Sequence, residues 1–185
     1  MFGGGQQVVL DIHQAVGAKP DFASELVLLG CTEPDLHGRA KSVIPYDGRY
    51  NRVKTLVSTS RKLSRFLHKS KPDVLHTHGW DADIIGWLGL GGIGTRQLIH
   101  LHITPGWRSS EALRHKLRRV LTRRAFSRGG TRVVAVSEAV RAHWAELLPW
   151  NANAIDLIEN GVDLKKYTCR NLDVDTRSSA VVGTA

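Results

Sequence analysis

The chain has 185 residues, 42% of them hydrophobic, with 26 Lys+Arg against 17 Asp+Glu and a formal net charge of +9. That length suits a single domain, and the apolar content is enough for a core, which excludes a disordered basic tail. No apolar run approaches the ~20 residues of a membrane span, no secretory signal opens the chain, and two distant cysteines, Cys31 and Cys169, make no disulfide scaffold, so a cytoplasmic setting is expected.

In chain order, Gly3, Gly4 and Gly5 lead through Gln6 and Gln7 into a helical run over 8–16. Short apolar runs at 25–31 and 42–45 predict strands. Residues 50–69 place Val53, Leu56, Val57, Leu63, Phe66 and Leu67 at helical spacing, and Pro72 ends that pattern. A strand is predicted over 73–76, a short helix over 81–88 and a second strand over 97–102. A helix over 109–126 carries Leu113, Leu117, Val120 and Leu121 as one apolar stripe. Strand 131–136 runs into Ser137, a good N-cap for a helix to about 148, and strand 154–158 precedes the Asn160-Gly161 turn. Strands separated by helices predict an α/β fold with a parallel sheet covered on both faces. Ligands of such sheets bind at the carboxyl ends of the strands.

The charge is segregated. Residues 49–71 hold eight basic side chains and no acid, and residues 108–132 hold nine against Glu111 alone, so the rest of the chain is net acidic. An anionic partner for the basic surface is one reading, and a solvated face that aids solubility is the other. These stretches lack interleaved aromatics and a recognition motif, so nucleic acid is not the expected partner.

Four local features offer chemistry. Gly89, Gly91 and Gly94 stand in GxGxxG order, but a helix precedes them and a strand follows, the reverse of a dinucleotide site, so they read as a turn. His76 and His78, and likewise His100 and His102, stand two apart on strands, where side chains share a side. With Asp81 and Asp83 nearby, they leave a metal-dependent hydrolase open as an alternative, beside the reading of His76 and His100 as core histidines. The glycine run ahead of a helix is an anion-binding arrangement or a frayed end. The loop after the 97–102 strand offers His102, Thr104 and Arg108 to a sugar or phosphate.

GGGQQ before a helix, KPDVLHTHGW (71–80), LIHLHITPG (98–106), VVAVSEAVRAHW (133–144) and LIENGVDLKKY (157–167) occur in one order. Through them the chain resembles the N-terminal domain of family 4 of the retaining glycosyltransferases, over about residues 3–167. The resemblance implies a Rossmann-like domain, the N-terminal half of a GT-B fold. It implies transfer of a sugar from a nucleotide-diphosphate donor to an acceptor hydroxyl with retention, without a metal or other cofactor. It assigns His102 as the active-site histidine, and Gly4 and Gly5, with Gln6, to the donor diphosphate and acceptor. Thr104 and Arg108 are acceptor-side candidates, and His78 takes a supporting place.

Family members open with a strand ahead of the glycines, and here Met1 stands close before Gly3. Residues 1–167 are therefore expected to be the acceptor-side domain lacking its first strand. Residues 168–185 are expected to be a linker and the start of a nucleotide-sugar domain that the chain does not contain. On that reading the chain alone lacks turnover and works, if at all, with a separate C-terminal half. Residues 49–71 and 108–132 are candidates for contact with an anionic membrane at its inner face, as a peripheral protein. A basic anion- or lipid-binding module without catalysis is the remaining alternative.

Overall fold

The computed structural model describes residues 4–30, 39–46, 53–104, 106–107, 112–148 and 154–161. Its elements are α1 (Gly4–Gly17), β1 (Val27–Leu29), β2 (Ser42–Ile44), α2 (Val53–Ser70), β3 (Val74–His78), α3 (Trp80–Gly89), β4 (Arg96–Leu101), α4 (Leu113–Phe126), β5 (Thr131–Ala135), α5 (Glu138–Leu147) and β6 (Ile155–Leu157). The alternation and its punctuation match the reading of the sequence. Pro72 ends α2, and Ser137 caps α5 by accepting from the Val140 amide at 3.3 Å. The Gly89–Gly94 segment is the helix-to-strand turn between α3 and β4.

All strand pairs are parallel. Strands β3-β4-β5-β6 form one four-stranded sheet in sequence order, and β1-β2 form a separate two-stranded sheet. The parallel sheet is thus in two parts, with no hydrogen-bonded neighbour joining β1 to β3 among the described residues.

Crossovers between successive neighbours carry α3, α4 and α5 to one face of the four-stranded sheet. There Ile84, Ile99, Leu101, Phe126, Val133 and Trp144 close the main core. Helix α2 packs along α3, with Leu63 and Leu67 against Ile85 and Leu90. Gly86 brings α3 close to the sheet. A Cβ there would stand 3.0 Å from Gln97 Nε2 and from Thr77 Cγ2, and 3.1 Å from Leu75 Cδ2.

One expectation needs correction here. Of the expected 109–126 helix the described residues show Leu113–Phe126, and 109–111 lie outside them. Three of the four stripe residues turn away from the core, Leu113 being 82% exposed, Leu117 48% and Val120 45%; Leu121 alone packs against it, beside the buried Thr122, Ala125 and Phe126. Mid-helix Arg and Lys fill the remaining positions, so the core takes only the last turn of α4. No helix among the described residues is long and apolar enough to cross a membrane.

Candidate functional site

Register builds the site. In the β3–β4 pair Val74 lies opposite Arg96 and His78 opposite His100. Alternation along each strand then sends Leu75, Thr77, Gln97, Ile99 and Leu101 towards α3, and His76, His78 and His100 to the other face. His102 follows one residue past the end of β4, in the same phase. Four imidazoles that the sequence shows as two separate pairs therefore form one cluster towards the carboxyl ends of two neighbouring strands.

The cluster is tightly coupled. His76 Nε2 lies 3.3 Å from His100 Nδ1, and His78 Nδ1 lies 2.9 Å from His102 Nε2. His100 and His102 stack with ring centroids 4.5 Å apart, and His76 and His78 lie tilted by 38° with centroids 4.2 Å apart. In each hydrogen-bonded pair one nitrogen donates and the other accepts, which requires neutral partners of matched tautomer or a single shared proton. Burial, and then the charge of His102, holds His76 down at about 4. His100 is also lowered to about 4, by burial first and then by His102 and His76. His78 is lowered to about 2 by burial and then by its three histidine neighbours, and burial lowers His102 as well. The quartet is thus uncharged near neutral pH, and His100 keeps a buried Nε2 without a hydrogen-bond partner.

Helix α1 approaches this face by its N-terminus. The glycines, expected as a loop ahead of the helix, are instead its first turn, since α1 begins at Gly4. The first amides of any helix have no intrahelical acceptor, so a helical first turn still presents bare N–H groups. A Cβ on Gly5 would lie 3.7 Å from His102 Cγ and 4.0 Å from its Nδ1, and one on Gly4 would meet nothing. The Nδ1 edge of His102 therefore faces Gly5 while its Nε2 holds His78. Gln6 is exposed on the same first turn.

Beyond His102, Thr104 is exposed, and Arg108 lies outside the described residues. The loop is anchored by Trp144, whose Nε1 donates to the Ile103 carbonyl at 3.0 Å. Trp107 packs edge-on against both Trp80 and Trp144, and the Arg118 guanidinium lies 4.6 Å from the Trp80 ring centre. These tryptophans were not read as site residues; three of them near motif ends were the available signal.

The acidic part of the hydrolase alternative does not join the histidines. Gln97 Nε2 donates to the Asp83 carbonyl at 2.9 Å, which fixes Asp83 under α3, on the opposite face of the sheet. Its carboxyl is fully buried and raised to about 8, mainly by loss of solvent. A separate cleft, lined by His68, Lys71, Asp73, Gly92 and Arg96, sits at the amino ends of β3 and β4, the far end from the histidines.

Comparison with known proteins bears on the family and the fold. The family model described as Glycosyltransferase Family 4 matches residues 2–166. Among solved structures, Anabaena HepE (Alr3699), crystallised in complex with UDP, superimposes with a TM-score of 0.67 at 16% identity, over 89% of this chain and 43% of that one. The chain thus spans less than half the length of that structure, and the likeness speaks for the fold. No curated protein sequence matches. With an α/β fold of that shape and a family match over nearly its whole length, the chain belongs to glycosyltransferase family 4.

Proposed function

We propose that residues 1–167 form the acceptor-side domain of a retaining glycosyltransferase that moves a sugar from a nucleotide-diphosphate donor to an acceptor hydroxyl. The observation that carries this is the meeting of the α1 glycine turn with the Nδ1 edge of His102 at the carboxyl end of β4. Bare amides at a helix N-terminus suit the negative charge that builds on a departing diphosphate. A neutral imidazole beside them suits a sugar hydroxyl, because it can donate or accept. His78 holds His102 in orientation through their 2.9 Å contact. Gly4, Gly5 and Gln6 take the donor side, and Thr104 and Arg108 the acceptor side. On this reading the nucleotide is gripped by a second domain, in this or a separate polypeptide, towards which residues 168–185 lead. HepE carries UDP, which makes uridine nucleotides the first donors to try.

The test is a titration of the chain with UDP and UDP-sugars, followed by NMR at histidine rings and glycine amides. The largest shifts are expected at His102, Gly4 and Gly5, and they should vanish in His102→Ala. Shifts confined to the cleft around Lys71 and Arg96 would overturn the reading.

The outward stripe of α4 supports an anionic membrane as the surface on which the acceptor is met. Leu113, Leu117 and Val120 are exposed in a helix that also carries Arg114, Lys116, Arg123 and Arg124. Apolar side chains inserted among basic ones suit the interface of an anionic bilayer, each cation near the surface contributing about 1 kcal/mol. The basic face of α2 reinforces the same charge. Cosedimentation with anionic vesicles and not with neutral ones is expected, and Leu113→Ser with Leu117→Ser should abolish it. Equal recovery with both vesicle types would remove the membrane from the proposal.

A further inference from the structure

The histidine quartet holds more nitrogen than sugar transfer requires. Three of its members, His76, His78 and His100, each offer one ring nitrogen such that all three ligand atoms lie within 4.8 Å of one another. His76 Nε2 and His100 Nδ1 are already 3.3 Å apart. That is about the separation of two nitrogens on a tetrahedral Zn²⁺ with ~2.0–2.1 Å bonds. Small side-chain rotations close the third distance.

A second observation is independent of this spacing. His100 is only 6% exposed, yet its Nε2 has no hydrogen-bond partner. With Nε2 unpaired, no second hydrogen bond among the described residues fixes the tautomer of this ring, so its Nδ1 can present a lone pair to an ion. An orienting contact is also present. His102 Nε2 sits 2.9 Å from His78 Nδ1, the kind of hydrogen bond that fixes the tautomer and direction of a ligating histidine.

We propose that His76, His78 and His100 bind one divalent transition-metal ion of the Zn²⁺ class, oriented by His102. Three imidazoles favour zinc, cobalt, nickel or copper over magnesium or calcium, which prefer oxygen ligands. Such a site leaves a fourth position for water or ligand. As the ion enters, the proton of the His76–His100 contact moves to the other nitrogen of the ring that held it, so that both rings bind as neutral imidazoles. The site lies on the floor of the proposed sugar pocket but does not depend on the transferase reading, since metal binding is measured without donor or acceptor.

The test uses the whole chain, freed of metal with a chelator and titrated with Co²⁺ and then Zn²⁺. One equivalent of Co²⁺ with the strong visible bands of low coordination number is expected, displaced by Zn²⁺. Ring-nitrogen NMR of the Zn²⁺-loaded chain should show large shifts at His76, His78 and His100, a readout that needs no variant. His76→Gln and His78→Gln, checked for folding by circular dichroism, should each weaken binding at least ~100-fold. His68→Gln with His115→Gln, on the exposed helices, should leave it unchanged. Zn²⁺ shifts confined to surface histidines, or Co²⁺ affinity unaltered in folded His76→Gln and His78→Gln, would overturn the proposal.

Discussion

The two faces of the β3–β4 pair are made by the same few residues and could hardly differ more. On one, Leu75, Thr77, Gln97, Ile99 and Leu101 pack against α3, whose Gly86 leaves little room for a side chain. On the other, the rings of His76, His78, His100 and His102 gather in mutual contact, with the N-terminal turn of α1 beside them. One face is complementary in shape, the other in chemistry. A substitution on the first should therefore act on stability, and one on the second on ligand binding, although the altered residues are sequence neighbours.

The sharpest way to break this contrast is to truncate adjacent residues of β4. Ile99 is fully buried against α3, and Ile99→Ala should cost about 2–5 kcal/mol with a cavity left behind. Next to it in size stands Gly86→Ala. The new methyl would press on Gln97, Thr77 and Leu75 at 3.0–3.1 Å, and about 1–3 kcal/mol should be lost. Urea unfolding measures both. In each case the histidine ring signals of the folded fraction should stay where they are. If Gly86→Ala moved the rings as much as it lowered stability, the two faces would not be independent.

The pH dependence sharpens the contrast further, because the faces carry opposite signs. Asp83 remains protonated in the folded chain up to about 8, whereas an unfolded carboxyl ionises near 4. The folded state then binds the extra proton, so this carboxyl lowers stability as pH rises from about 4 to 8. The histidines act the other way. Unfolded rings protonate below about 6.5, while folded His76 and His100 stay neutral to about 4 and His78 lower still. Their contribution is present above 6.5 and is lost as the pH falls below it. Three rings outweigh one carboxyl on the acid side, so stability should peak between about pH 6 and 7. In Asp83→Asn the decline from pH 6.5 to 8 should disappear, and the acid limb should remain. Denaturant midpoints at pH 5, 6.5 and 8 decide it, and an unchanged alkaline limb would mean that Asp83 is ionised in the fold.

The same contrast explains how much could be read in the sequence. Element order, Ser137 as a cap and the turn at Gly89–Gly94 rest on local rules, and they stand as read. His102 and Gly5 followed from motif order, and their proximity is a fact of the fold. The joining of the two His-x-His pairs was not legible, because register between strands 24 residues apart is set by packing on the other face. The outward turn of Leu113, Leu117 and Val120 was hidden for a related reason. Periodicity shows that a stripe exists, but not whether a core or a solvent-side partner covers it. Asp83 was misread as a neighbour of the histidines because closeness in sequence says nothing about which face of a sheet a helix covers.

The smallest effect on stability is expected where the chemistry is most exposed. At Gly5 a methyl would meet His102 only at ordinary contact distances of 3.7–4.0 Å, so nothing in the fold demands glycine there. Alanine is also the better helix former, and Gly5→Ala should leave stability within about 0.5 kcal/mol of the parent or slightly above it. The methyl would nevertheless stand between the first-turn amides and the Nδ1 edge of His102, where the proposed donor lies. Affinity for a nucleotide-diphosphate sugar should then fall several-fold, about 1 kcal/mol, in a protein that is no less stable. A glycine kept for folding would show the reverse, with lost stability and unchanged binding. Measuring both on one variant separates a residue that builds the domain from one that leaves room for what the domain holds.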